Sequence, residues 1–279
     1  MNYLIVGILG SIIGSFLGAL SYRIPRRFIK KWFEDEELAD LGVTLEEDPE
    51  IVNSKRSRCP NCKKVLSWWE LIPIISWLLL RGKCKSCNER ISFRYPLIEF
   101  LTVFSAVLTY YLLGLSFEGL VLFIILCVLI LASSVDIECF ILPDFLTVPL
   151  IVAGLIYCFV LLTTDYFAQK PFSQEVLDSV FGGLVLPGVL TIFSWIFSKI
   201  KGKEGFGFGD IKLLSGLGFL LGFNANFFVL MVASVLAILN AVINKILGKG
   251  EIFGQYYPFG PFLVAGVFIY LLTYVIIFK

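Results

Sequence analysis

Two aspartates stand at the edges of apolar runs in this chain. Asp136 lies in "LASSVDIECFILPD", and Asp210 follows three alternating glycines in "GFGFGDIKLL". Two carboxylates brought to one poorly hydrated place cannot both ionise easily. One keeps its proton and can polarise a peptide carbonyl, while the charged one can take a proton from water. That is aspartic-protease chemistry, and it needs no histidine; the chain has none. Each residue also has a plainer reading to answer. Asp210 alone can cap the helix beginning at Ile211. Asp136 ends a span, where the helix dipole is negative and repels an anion, so capping does not account for it.

A second group with chemical potential is "CPNC" (Cys59, Cys62) and "CKSC" (Cys84, Cys87), with 21 residues between the pairs. Each pair can close a tight knuckle, and four thiolates complete a tetrahedral zinc site with no open position. Such a site staples a loop and leaves no place for an activated water. Disulfides are the alternative, disfavoured where the loop faces a reducing compartment. Cys127, Cys139 and Cys158 stand alone and read as packing residues.

The elements that must position these groups are set by composition. Of 279 residues, 58% are hydrophobic and 16% charged, and the mean hydropathy is +0.87. One soluble core cannot hide that much apolar surface, so the chain reads as an all-α polytopic membrane protein. A span takes roughly 20 apolar residues. About eight segments qualify: 3–22, 97–113, 120–135, 145–162, 176–197, a short one at 211–222, 227–243 and 259–278. The first is followed by "RIPRRFIKK" and no small-residue cleavage site, so it reads as a retained helix. Three regions result: a first transmembrane helix (1–22), a cytoplasmic zinc-binding loop domain (23–95) and a helical transmembrane core (96–279).

The segment from Arg23 to Arg94 holds 15 of the 23 lysines and arginines, which places it in the cytoplasm and the N-terminus outside. Alternating crossings then bring Asp136 and Asp210 to the same inner surface on different helices. Eight crossings leave Lys279 outside; a re-entrant sixth segment changes that count. The acidic stretch "EDEELADLGVTLEEDPE" reads as a solvated connector without chemistry, although Glu34, Glu37, Leu38 and Leu41 are spaced for an amphipathic helix.

A charge within the hydrocarbon layer costs about 3 kcal/mol or more, so each carboxylate near the membrane calls for a partner, a wet cavity or a function. Asp144, after Pro143 and before an apolar run, suits a helix N-cap or a catalytic role. Glu138 and Glu99 read as interfacial or paired residues. Lys212 points about 200° around a helix from Asp210 and reads as snorkelling to the interface or meeting lipid phosphate, or meeting an acidic group on a substrate. Trp68, Trp69 and Trp77 read as an interfacial belt, and "WWELIPIISWLLL" as a segment lying along the membrane surface.

Taken together, the motifs resemble those of bacterial type IV prepilin peptidases over nearly the whole chain. "GSFLGALSYRIPRR" is similar to the family's opening signature, with Gly18 where asparagine is common. "SWWELIPIISWLLLRGKCKSC" with "ISFRYPLIEFLT" resembles its zinc-loop region, "DIECFILPD" and "GFGD" its two aspartate motifs, and "PFGPFL" its last-span signature. The resemblance implies that Asp136 and Asp210 are the catalytic pair and that Cys59, Cys62, Cys84 and Cys87 hold zinc. It further implies cleavage of a basic leader from type IV prepilins or type II secretion pseudopilins at the cytoplasmic face of the bacterial inner membrane. Methylation of the new N-terminus with S-adenosylmethionine follows from the resemblance only, since the sequence carries no recognisable site for that cofactor. Lipid and prepilin are the expected partners, and nucleic acid is not among them. Two other classes fit carboxylates at helix breaks: a membrane transporter, or a non-catalytic assembly factor that keeps the zinc loop for docking. A presenilin-like protease is disfavoured, because no tyrosine precedes the first aspartate and no "PAL" occurs.

Overall fold

A computed structural model of the chain describes residues 2–29, 52, 54, 56–167, 174–202, 205–248 and 257–278; the acidic stretch falls almost wholly outside these. The described residues form helices and turns, with no strand beyond two isolated bridges. In chain order the helices are α1 (Asn2–Ile24), α2 (Ile75–Leu79), α3 (Arg94–Leu113), α4 (Phe117–Cys139), α5 (Asp144–Phe167), α6 (Gln174–Lys201), α7 (Phe208–Leu221), α8 (Phe223–Ile246) and α9 (Gly260–Phe278). Among the described residues seven are long and apolar enough to cross a membrane, so this is a multi-pass membrane protein. The sixth apolar segment is α7, which at 14 residues is too short for a simple span, as its sequence indicates.

The chain divides into two compact units, Met1–Phe140 and Ile141–Lys279. In the first, α1, α3 and α4 pack together around α4, whose most apolar stretch is 56% buried. Lipid is as apolar as leucine, so helices here associate through close approach of small residues. Gly10 and Gly14 supply it in α1. A Cβ on Gly14 would stand 2.8 Å from the Glu99 Cα, and one on Gly10 would stand 2.8 Å from the Ala106 Cβ. The buried hydroxyls of α3 are satisfied within the helix, Thr102 by the Ile98 carbonyl at 2.8 Å and Ser105 by that of Leu101 at 2.7 Å.

In the second unit the short helix α7 is clasped by α5 and α6. Backbone meets backbone at Gly182 and Gly218, where a Cβ on Gly218 would fall 2.0 Å from the Gly182 carbonyl oxygen. Pro187 lies inside α6 and has no N–H, so it cannot satisfy the carbonyl four residues earlier, that of Gly183. The Ser215 hydroxyl of α7 donates to that carbonyl at 2.7 Å. Asn226, fully buried, donates from Nδ2 to the carbonyls of Gly182 and Leu214 at 3.1 and 3.0 Å. Buried polar groups in an apolar solvent need such partners, and here they join three helices. By contrast only 17% of the most apolar stretch of α6, and of α8, is buried, as lipid-facing helices require.

Gly14→Ala should force α1 away from the α3 backbone and lower the melting temperature in detergent, with an overpacking cost of about 1–3 kcal/mol. Gly7→Ala, whose added Cβ would meet only Val103 at 4.0 Å, should leave melting unchanged or raise it slightly.

Candidate functional site

Asp136 lies in the last turn of α4 and is buried, 4% exposed, as its placement at the negative end of a helix made notable. The helix stops at Phe140, which takes a left-handed conformation (φ 56°) and donates its N–H to the Asp136 carbonyl at 2.8 Å. Two residues past Asp136, the Glu138 carboxylate is held from both sides. Arg26, just beyond α1, reaches Oε1 at 2.5 Å, and Arg94, the first residue of α3, reaches Oε2 at 2.8 Å. All three side chains are less than 20% exposed. Arg26 also donates to the Tyr22 carbonyl and lies over the Tyr22 ring at 3.8 Å. The three helices of the unit are thus fastened together beside Asp136.

Asp210 occupies the first turn of α7, and the glycines before it have separate tasks. The carboxylate folds back over Gly207, where a Cβ would stand 2.8 Å from Oδ2. Gly209 abuts the chain before α5, with a Cβ position 2.7 Å from the Leu142 Cβ. The preceding loop is pinned by Ser194 of α6, whose hydroxyl accepts from the Phe206 N–H at 3.1 Å and donates to the Phe206 carbonyl at 3.2 Å. The Phe206 ring meets the edge of Phe259, so "GFGD" touches "PFGPFL". Lys212 does not simply snorkel: its Nζ pairs with Asp144 Oδ1 at 2.6 Å, joining α7 to the start of α5.

The four cysteines do converge. Their sulfurs lie within 4.8 Å of one another, Cys59 to Cys87 at 3.8 Å and Cys62 to Cys84 at 4.0 Å. The two knuckles repeat one design. Antiparallel bridges Arg58 to Val65 and Lys83 to Arg90 close them, and the Lys63 and Asn88 N–H groups donate to the carbonyls of Cys59 and Cys84. In each, the residue after the second cysteine turns the chain left-handed at φ 57°. Four thiolates at about 2.3 Å from one ion stand about 3.8 Å apart, so this cluster can hold a tetrahedral metal. Burial raises the Cys84 thiol, but the N–H groups of Cys87 and Ser86 and the Cys59 sulfur outweigh it and bring it to about 7. Burial pushes Cys59 up to about 12. Cys127, Cys139 and Cys158 are buried, in keeping with packing roles.

Glu138 is paired, as expected, and Glu99 Oε2 accepts from the Ile74 N–H at 2.7 Å. Of the tryptophans Trp68 is 79% exposed, whereas Trp77 is built into the loop, its Nε1 donating to the Ile91 carbonyl at 3.1 Å. No motif in the sequence marks Arg26, Arg94 or Ser194; for the two arginines the one sign is a charge at the end of an apolar run.

A helical multi-pass membrane protein with a four-cysteine knuckle pair after its first helix, and an acidic residue at a helix end in each unit, is the class defined so far. Residues 8–113 match the bacterial peptidase A24 N-terminal domain, and residues 123–243 match the type IV leader peptidase family. The chain is 34% identical over 261 residues to a prepilin leader peptidase/N-methyltransferase of Xanthomonas campestris pv. campestris, covering 92% of this chain and 87% of that protein. A protein of the same name from Burkholderia pseudomallei is 36% identical, covering 93% and 81%. One from Aeromonas salmonicida is 34% identical, covering 98% and 91%. No solved structure matches the chain. The chain belongs to the type IV leader peptidase family.

Glu138→Gln removes the charge that two shielded arginines share. It should destabilise the solubilised protein by about 3 kcal/mol, read as a fall in melting temperature, because it leaves cations uncompensated in a poorly hydrated place.

Proposed function

We infer that this protein is a membrane aspartic endopeptidase that removes the basic leader from type IV prepilins or type II secretion pseudopilins and then N-methylates the new N-terminus. Its site faces the cytoplasm at the bacterial inner membrane. The observation that carries the reading is that similarity to prepilin leader peptidases spans over nine-tenths of the chain, including both aspartate motifs.

Asp136 and Asp210 are the catalytic pair. The substrate's apolar helix enters laterally from lipid, and its leader remains in the aqueous phase, so the scissile bond rests where the inner leaflet meets water. The ionised aspartate takes a proton from water as the oxygen forms its bond to the carbonyl carbon. The protonated aspartate hydrogen-bonds the carbonyl oxygen as negative charge develops there. Collapse of the tetrahedral adduct breaks the C–N bond, and the departing amine takes up a proton from the pair. Asp144 is not needed for these steps; with Lys212 it secures the α5–α7 contact beneath Asp210.

Cys59, Cys62, Cys84 and Cys87 hold a structural zinc ion. With all four positions filled by sulfur, these residues would hold the ion as a cross-link of the loop and leave it no open position for a hydrolytic water. S-adenosylmethionine would supply the electrophilic methyl group for N-methylation of the new amine.

Asp136→Asn and Asp210→Asn should each lower cleavage of a solubilised prepilin by about 10³-fold or more, with the fold and metal content retained. Asp144→Asn should cost no more than about tenfold. Near wild-type cleavage by Asp210→Asn refutes the assignment. Cys62→Ser should lose the zinc measured in purified protein and lower its melting temperature. Retention of one zinc per chain by that variant removes the four-sulfur assignment.

A further inference from the structure

The first unit contains a cleft that the hydrolytic chemistry does not use. It lies between the knuckles, the Trp68–Leu80 segment and the adjoining ends of α1 and α3, and encloses about 1050 Å³, mouth included. Along α1 it extends from Arg23, in the last turn, to Ser15, about 12 Å further into the helix. Because α1 has the length and composition of a membrane span, Arg23 stands at the edge of the hydrocarbon and Ser15 within it. The cleft therefore runs from a wet end to an oily one, as an amphiphilic ligand would require.

The segment that walls the cleft is anchored at the same depth. The Ile74 N–H donates to Glu99 Oε2 at 2.7 Å, and Glu99 lies about 7.5 Å into α3 from its first residue. Trp77 lines the cleft, locked by its bond to the Ile91 carbonyl and by edge packing on Phe93. Trp68, Ile75, Leu78 and Leu79 of the same segment are instead 55% to 79% exposed, and Leu97 and Phe100 of the neighbouring α3 are exposed with them. Apolar surface of that extent suits hydrocarbon and not water. One wall of the cleft thus stands in lipid, and the bilayer itself is the nearest source of a ligand.

The polar groups of the cleft carry both signs. Arg23 and Arg58 supply two cations. Glu70 is buried, and the Ser67 N–H and hydroxyl both bond to its Oε2, holding its carboxyl below the usual range; Oε1 takes neither bond. Guanidinium groups suit a phosphodiester, and an ionised carboxylate suits a primary ammonium. The basic leader of a prepilin would meet the arginines here and is disfavoured. We propose that this cleft binds one phospholipid whose headgroup bears a primary amine. Its phosphate lies on Arg23 and Arg58, its ammonium on Glu70, and an acyl chain follows α1 toward Ser15. The bound lipid ties the knuckle loop to the ends of α1 and α3.

The test is native mass spectrometry of the full-length, zinc-loaded protein in detergent. It is titrated separately with phosphatidylethanolamine, phosphatidylcholine and phosphatidylglycerol of matched acyl chains, and with free phosphoethanolamine. Wild type should retain one phosphatidylethanolamine per chain at about tenfold lower concentration than either other lipid, since choline has no N–H for Glu70 and glycerol no charge. Glu70→Gln, which can still accept the Ser67 N–H, should bring phosphatidylethanolamine and phosphatidylcholine within about twofold of each other. Arg23→Gln, at the rim, should weaken all three lipids by about fivefold or more. Equal retention of the three lipids by wild type, or affinities unchanged in both variants, overturns the proposal. So does a photo-crosslinking lipid recovered only within residues 141–279. Free phosphoethanolamine bound as tightly as the diacyl lipid gives the cleft to a soluble ligand and overturns it as well.

Discussion

Charge at the boundary between lipid and water is the constraint on which this structure turns. An ion there is stable only against a partner, and each compact unit meets that demand beside its aspartate. Glu138, two residues past Asp136, is gripped by Arg26 and Arg94; Lys212, two residues past Asp210, is paired with Asp144. These bonds join elements far apart in sequence, so they fix helix ends as well as charges. An exposed pair of this kind would be worth little, since water screens it and its side chains lose entropy. Set in poorly hydrated surroundings, the Arg26–Glu138–Arg94 group is costly to break, and that cost holds the end of α4 in register with α1 and α3.

Away from the charges, cohesion comes from small residues and satisfied backbone. The Gly10 and Gly14 face of α1 and the Gly182–Gly218 contact bring main chains together, because hydrocarbon provides no hydrophobic drive between helices. Pro187, which has no N–H, would otherwise strand the Gly183 carbonyl, and Ser215 takes it up. The same contacts carry α7, too short to span, to the place where its first turn presents Asp210. Both glycines flanking Phe208 are needed there for a mechanical reason, since Gly207 makes room for the carboxylate and Gly209 for Leu142.

The knuckle pair solves a different problem. Four sulfurs brought within 4.8 Å could hold one metal ion, and coordination of that kind substitutes for core packing in small loops. Cys59 and Cys84 also line the cleft in the first unit, so the knuckles help to shape its wall.

Much of this was legible without coordinates. Hydrophobic run lengths located the spans, because bilayer thickness dictates them, and the shortness of the sixth segment was plain from residues 211–222. The cysteine spacing announced a four-sulfur cluster, because tetrahedral coordination tolerates few spacings, and the helix dipole marked Asp136 as an acid that capping does not explain, whereas Asp210 taken alone could cap its helix. Spacing does not carry information about contacts between distant segments. The partners of Glu138, the Lys212–Asp144 pair, the Ser194 clamp on Phe206 and the conversion of Trp77 from an interfacial residue into a cleft wall were decided by folding alone. Each depends on which helix faces meet, and that is set by packing of small residues and by the need to satisfy every buried polar group, neither of which a linear pattern records.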